Sequence, residues 1–468
     1  MVQASSATGQ ARCGQRLREH LVSQLVCLGR HTVTGLLCTE GRQFEDWSAD
    51  YRLYSRNRID TDVLFSTVRR GVEQFLSKRA PLVVAMDDSL LRKRGRKVTG
   101  TGWRRDPLSP PFGVNFVWGQ RVVQLSAALP LDRRGAVRMI PIDFVQAPTA
   151  VRPRPKAPPA AWAQYESQRR QMNINVQALR RIEHLQRDRC CSDRPLWLTV
   201  DGRFTNSTLL RGLPDEVTLI GRIRGDAKLY RLPQQTCRAS GGRPRCYGDP
   251  LPTPEQIRQD PTFRWQKVQA FAAGKVHEFR IKTVRQVRWR AAGSQQTLRL
   301  IVIAPLAYRL TKQSKLLYRR PAYLICNRPE ENLQRVLQAY LWRWDIEVNL
   351  RDQKTLLGVG QAQVRHRSSV QNVPATAVAA YAMLLLAAAR AFGPNGFPDA
   401  LPLPAWRKKD KPRRASTMQL INQLRWELWA PSIKREPLFH FPNRSTPSQK
   451  PQKLPPSLAS SLFYGAVG

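Results

Sequence analysis

Acidic residues are scarce in this chain of 468 residues: 34 Asp and Glu stand against 77 Lys and Arg, a formal net charge of +43. An excess of that size repels itself unless a polyanion absorbs it. Nucleic acid is the natural partner, because each phosphate neutralised releases a counterion; a ribosome-associated protein or a merely basic surface are the blander readings of charge alone. Histidine is also sparse, at six, and the eight cysteines form no C-x-x-C pair, which removes the zinc-ribbon class. Cys237 and Cys246 flank a Gly-, Arg- and Pro-rich loop with no His beside it, so free thiols are the expectation. The N-terminus lacks the charged-then-apolar pattern of a signal peptide. The most apolar stretch, Ala377 to Phe392, carries Tyr381 and Arg390 and falls short of the roughly twenty apolar residues that cross a bilayer. It reads as a buried core helix, and no membrane partner is expected. Neither an internal repeat nor a clear helix-turn-helix pattern is present.

Hydrophobic residues make up 42% of the chain, which places it among globular proteins. Residues 1–80 read as helical, with Leu21, Leu25 and Leu28 on one face and Val63, Leu64, Val68, Val72 and Phe75 on another. This region is either a DNA-end-binding module or a helical layer on the core. Residues 81–225 form an α/β unit: strands at Pro81 to Met86, Gly113 to Trp118 and Val122 to Leu129 suggest an antiparallel meander. A long helix from Ala161 to about Arg189 and a strand at Pro195 to Val200 follow, then a short helix at Ser207 to Leu213 and a strand at Glu216 to Ile223. Residues 226–320 read as a β-rich insertion. Residues 321–395 return to the core with a strand, a long helix from about Pro329 to Leu357 and the apolar helix. Residues 396–468 form a basic, Pro-rich tail with one helix, Ser416 to Trp429; past residue 400 twelve Lys and Arg face three acids, the pattern of a flexible segment.

Two apolar strands run into an acid, Val-Val-Ala-Met-Asp87 and Trp-Leu-Thr-Val-Asp201. On neighbouring strands their carboxylates would share the edge where α/β sheets place ligands; singly, each reads equally as a turn or helix cap. Tyr340, Arg343, Glu347 and Lys354 follow the pattern Y-x2-R-x3-E-x6-K. On one continuous helix these four fall within a sector of roughly 60°. Beside them Leu337, Leu341, Trp344 and Val348 make an apolar stripe that predicts docking on a sheet. A solvated charged face has the same spacing, but average residue usage makes the four-residue pattern an accident at below ~1%.

The motif resembles the signature of a large group of bacterial insertion-sequence transposases of the DDE type. The segments around "VVAMDDSLLRKRGRK" and "LTVDGRFTN" resemble the regions carrying that group's first and second catalytic Asp, and the likeness in order and spacing extends over about residues 30–395. It implies an RNase H-like core, a mixed sheet flanked by helices and interrupted by a β-rich insertion at 226–320. It also implies a cytoplasmic, nucleoid-associated enzyme that cuts DNA at terminal inverted repeats and joins the ends to target DNA as a homodimer or higher multimer. A non-enzymatic DNA-binding descendant, or an RNase H-like nuclease without strand transfer, are the alternatives.

The resemblance implies that Asp87, Asp201 and Glu347 are catalytic and hold two Mg²⁺ ions, with Mn²⁺ as a substitute and with Asp87 shared between them. Two ions roughly 3.5–4 Å apart clamp the attacking and leaving oxygens of a phosphodiester. Asp88 is the alternative to Asp87. Arg343 and Lys354 are implied to contact phosphates and Tyr340 to position the terminal backbone. Arg92, Lys93, Arg94, Arg96 and Lys97 form a basic loop after the first Asp, expected to meet the DNA backbone, with an ordinary solvated loop as the other reading. An aromatic residue of the insertion, Trp265 or Trp289, is a candidate to hold a flipped base, against the alternative of a core Trp.

Overall fold

The computed structural model describes residues 6–110, 112–132, 135–189, 194–233, 245–309, 313–393 and 414–435. Four helices open the chain: α1 (Ala11–Val26), α2 (Val33–Glu40), α3 (Ser48–Ser55) and α4 (Thr61–Glu73). Thr32 and Asp60 cap α2 and α4 by accepting from the backbone N–H of Gly35 and Val63. Leu21, Leu25, Leu64, Val68 and Val72 are buried as their periodicity required, but α1 stops at Val26 and Leu28 beyond it is exposed.

The strands that follow are β1 (Leu82–Arg92), β2 (Gly102–Arg105), β3 (Phe116–Pro130) and β4 (Val137–Gln146). The two strands expected at Gly113 to Trp118 and Val122 to Leu129 are thus one long strand, and β1, β3 and β4 form the antiparallel meander. The single helix expected from Ala161 is two, α5 (Pro159–Gln171) and α6 (Ile174–Asp188), because the Asn173 side chain caps a fresh N-terminus at the backbone N–H of Asn175. Next come β5 (Leu196–Val200), α7 (Ser207–Gly212) and β6 (Val217–Ile223). β1, β5 and β6 lie parallel and adjacent, with Met86 opposite Val200 and Val200 opposite Gly221.

The segment read as an insertion holds β7 (Leu229–Tyr230), α8 (Pro254–Gln259), β8 (Gln266–Ala272), β9 (Lys275–Trp289), β10 (Leu298–Ile303), β11 (Ala307–Tyr308) and β12 (Leu317–Tyr318). Its main strands extend the core sheet. β13 (Ala322–Cys326) pairs β6 on one side and β10 on the other, and β9 continues outward with β8 and β7. The result is an 11-stranded mixed sheet, flanked by helices as an RNase H-like core requires. One face of β1 (Leu82, Val84, Met86) packs into the cluster holding the N-terminal helices and α11 (Arg367–Phe392); the other (Val83, Ala85) packs under α9 (Leu333–Trp342) and α10 (Asp345–Thr355). α11 is long and apolar enough to cross a membrane, but 72% of its most apolar window is buried inside the fold. A final helix, α12 (Thr417–Arg435), reaches back so that Arg425 donates to the carbonyls of Val26 and Cys27 at the end of α1. The remainder of the basic tail, and Cys237 of the cysteine loop, lie outside the described residues.

A missing side chain shapes the turn after β5. A Cβ on Gly221 would stand 2.3 Å from Thr205 Oγ1, and that hydroxyl donates to the Asp201 carbonyl at 2.7 Å. The turn can fold over β6 only because Gly221 is bare. Gly221→Val is therefore expected to lower unfolding free energy by roughly 1–3 kcal/mol through overpacking, read as a fall in denaturant midpoint at constant slope. A variant as stable as the parent would contradict this packing.

Candidate active site

Asp87 and Asp201 are neighbours because the last paired residues of β1 and β5 are Met86 and Val200, one step before each acid. β5 ends there, but β1 continues to Arg92 on its β3 side, so Asp87 lies within a strand and not at its end. Side chains alternate across a strand, which separates the two candidate acids. Asp87 follows Val83 and Ala85 onto the α9–α10 face and lines an open cleft of about 740 Å³ with Asp201 and Glu347. Asp88 is not in that lining and is held by Arg203 at 3.1 Å and Arg121 at 3.4 Å.

Asp201 does cap its turn: Oδ1 accepts from the backbone N–H of Arg203 and Phe204 at 2.9 and 3.3 Å. Those bonds fix the carboxylate while Oδ2 takes no part in them. Glu347 enters from the first turn of α10. The long helix expected from Pro329 is broken: α9 ends at Trp342 and α10 begins at Asp345, joined by i−3 bonds at Arg343, Trp344, Ile346 and Glu347. The tighter winding of these turns rotates Trp344 out of its expected apolar stripe. It is 63% exposed and lines the cleft, while Ile346 and Leu350 take the buried positions.

Arg343 sits at this joint, 8% exposed, with Nη1 3.6 Å from Asp87 Oδ2 and Nη2 3.4 Å from Glu347 Oε1. It offsets the repulsion that Asp201 exerts on both acids. Tyr340 lies beneath it, ring centroid 5.8 Å from the guanidinium carbon. Lys354 Nζ donates to Ser89 Oγ at 2.6 Å, two residues along β1 from Asp87. α10 is held in place from behind. Asp345 accepts from the Met139 backbone N–H at 2.9 Å and pairs with Arg414 at 2.6 Å, and Asn349 donates to the Met139 carbonyl and the Tyr381 hydroxyl.

The basic loop is only partly what its sequence suggests. Lys93 is buried, its ammonium donating to the carbonyls of Gly360 and Ala362 at 2.7 Å each, so it braces the fold and is not presented to DNA. Arg92, Arg94, Arg96 and Lys97 are exposed, Arg92 paired with Asp106 and Arg96 stacked against Trp103 and Trp118. Trp265 and Trp289 lie outside the cleft lining: Trp265 is covered by Arg280 and Lys282, and Trp289 packs against the core. Sequence reasoning missed Arg203, Arg222, Arg224 and Trp344, all of which line the cleft. Arg222 had a readable signal, as the one exposed side chain in the buried strand β6.

The donor set is carboxylate oxygen, with no His or Cys among the cleft residues, which suits a hard divalent cation that keeps several waters. Among the described residues, the three-residue group with ligand atoms all within 4.8 Å is His20, Glu40 and Asp50 of the N-terminal helices. Its charges are already answered: Arg16 and Arg42 pair with Asp50, and His20 bonds both Asp50 and Tyr54. The ligand atoms of Asp87, Asp201 and Glu347 do not all lie within 4.8 Å of one another.

Burial pushes the Asp87 carboxyl up to about 7, against the pull of Arg343 and with added repulsion from Asp201. Burial also raises Asp88 and Glu347. A carboxyl whose folded value is raised binds more protons folded than unfolded, so stability falls as pH climbs through the interval between the two values. Without metal, the protein is therefore expected to lose stability from about pH 4 to pH 7 on account of Asp87. Asp87→Asn should flatten that slope and raise the melting temperature at pH 7.5. An equally steep profile in the variant would show that Asp87 is not under this strain.

Comparison with known families places these observations in context. A family model described as a DDE superfamily endonuclease matches residues 9–297, more than half of the chain, a span that holds Asp87 and Asp201 and ends before Glu347. No curated relative matches the chain. The mixed sheet, the acid-lined cleft and the family match agree: the chain belongs to the DDE superfamily endonucleases.

Proposed function

We propose that this protein is an insertion-sequence transposase that cuts DNA at terminal inverted repeats and transfers the ends to target DNA, with Asp87, Asp201 and Glu347 as its catalytic carboxylates. The observation carrying this reading is the parallel register of Met86 with Val200, which sets two acids side by side at a cleft that Glu347 enters from α10. Two Mg²⁺ ions held there, with Asp87 shared, would supply an activated water and a stabilised leaving oxygen. The chain's own residues do the positioning. Asp201 is oriented by its turn, and Arg343 offsets the repulsion that Asp201 exerts on Asp87 and Glu347. Arg222 presents an exposed cation to the cleft for a phosphodiester backbone, while Arg203 pairs with Asp88 and Arg224 with Asp226. Trp344 offers an exposed aromatic face beside Glu347, suited to stacking on a base at a cut end. Family membership supports the endonuclease step; strand transfer rests on the signature Tyr340, Arg343, Glu347 and Lys354.

Asp87→Asn, Asp201→Asn and Glu347→Gln should each abolish cleavage of a linear duplex with inverted ends while leaving its binding within a few fold of the parent. Cleavage should stop with chelator, return with Mg²⁺ or Mn²⁺, and remain weak with Ca²⁺, whose looser geometry suits in-line displacement poorly. Joined products alongside cut ends identify a transposase; cut ends alone would reduce the reading to a nuclease. Near-normal cutting by any of the three variants would remove that residue from the site.

Phosphate pairing should dominate binding. Replacing Arg92, Arg94, Arg96 and Lys97 with Ala is expected to reduce the slope of log affinity against log salt by about one for each phosphate no longer neutralised. Lys93→Ala should leave that slope alone and cost about 2–3 kcal/mol of stability, because two buried carbonyls lose their donor. An unchanged slope in the four-residue variant would move the DNA path elsewhere.

A further inference from the structure

The hairpin of β2 and the start of β3 outruns the rest of the sheet. β1 ends at Arg92 opposite Gly119, and beyond that point Phe116 to Trp118 pair with β2. The tip is strongly apolar and uncovered: Leu108 is 84% exposed, Phe112 94%, Val114 51% and Phe116 61%. Chains usually hide such side chains, and contiguous exposed apolar surface marks an interaction site. The loop is also braced from within. Asp106 donates its N–H to the Asn115 carbonyl, Ser109 Oγ donates to the Asp106 carbonyl and accepts from the Asn115 N–H, and the Leu108 N–H bonds the Asp106 side chain. These bonds tie the two flanks of the tip together at Asp106, Ser109 and Asn115.

The flanks name the partner. Arg94, Arg96, Lys97 and Arg105 are exposed in this stretch, whose one acid, Asp106, is already paired with Arg92. That density of like charge repels a second copy of the same hairpin and attracts a polyanion. A basic surface carrying projecting Leu and Phe fits duplex DNA whose base steps are opened by apolar wedges. Position agrees. At ~3.3 Å per residue, five residues of β1 from Asp87 to Arg92 and three of β3 from Gly119 to Phe116 place Phe116, at the base of the tip, on the order of 25 Å from the acid, with Leu108 and Phe112 beyond it. That is about seven base pairs of B-form DNA at 3.4 Å each.

We propose that the β2–β3 hairpin is a DNA wedge: its exposed basic side chains seat on phosphates while Leu108 and Phe112 enter an opened base step at least about seven base pairs from the cut. The distance rests on the proposed reading of Asp87 as part of the reacting centre; the wedge itself does not. The test uses the full chain and 30-base-pair mixed-sequence duplexes, either fully paired or with a central two-base mismatch. Wild type should bind the mismatched duplex about tenfold more tightly, since part of the unstacking is already done. The Leu108→Ala, Phe112→Ala double variant should lose that preference with an unchanged salt slope. Both side chains are exposed, so the fold is not at stake. Asp87→Asn should retain the preference, which separates failure of the wedge from failure of the catalytic reading. No preference in wild type, or a preference that survives the double substitution, would overturn the proposal. So would a double variant that changes only from dimer to monomer in solution, since the tip would then be an interface between copies.

Discussion

A guanidinium between two carboxylates is the interaction on which this site turns. Asp87 and Glu347 come from elements far apart in sequence, and each is destabilised as an anion by burial and by the charge of Asp201. Arg343, itself buried, lies within 3.6 Å of one and 3.4 Å of the other. Glu347 Oε1 accepts a long hydrogen bond from Arg343 and Asp87 is reached only as a charge partner, so the arrangement balances charge through weak contacts. Even so, burial leaves Asp87 at about 7, a position that is poor for stability and useful for binding a cation. Sites of this kind hold strain that the surrounding structure must support.

That support is legible in the packing. The β1–β5 register fixes Asp87 beside Asp201, and bare Gly221 lets the Asp201 turn fold over β6. Glu347 depends on α10, which is pinned from behind by Asp345 and Asn349 to the backbone of Met139 on β4. Arg414, from the far end of the described chain, closes on Asp345 as well. The insertion strands continue the same sheet on the far side of β13 from β6, the strand that carries Arg222 to the cleft edge.

Much of this could be read from the residues. The two strands running into acids, the apolar helix at Ala377 to Phe392 and the helical N-terminus follow from periodicity alone. What could not be read has physical causes. Asp87 and Asp88 are one residue apart, and only the alternation of β1, seen against its two packing partners, assigns them to different faces. The signature spacing assumed an unbroken helix, whereas i−3 turns at Arg343 to Glu347 carry Trp344 to the cleft. Lys93 resembled its basic neighbours in sequence, but two carbonyls of the Gly360 to Ala362 turn, some 270 residues on, draw it inside. Long-range pairings of this sort leave no local trace.

The central claim is that Asp87, Asp201 and Glu347 hold a pair of divalent ions. Counting bound Mn²⁺ by electron paramagnetic resonance, on the protein with duplex DNA, addresses it directly. The account expects two ions on the parent protein, a spin-coupled pair, with the coupling abolished in Asp87→Asn and one ion missing in Glu347→Gln. Two ions undisturbed by all three carboxylate substitutions, or Mn²⁺ that disappears instead with His20→Ala, would contradict it.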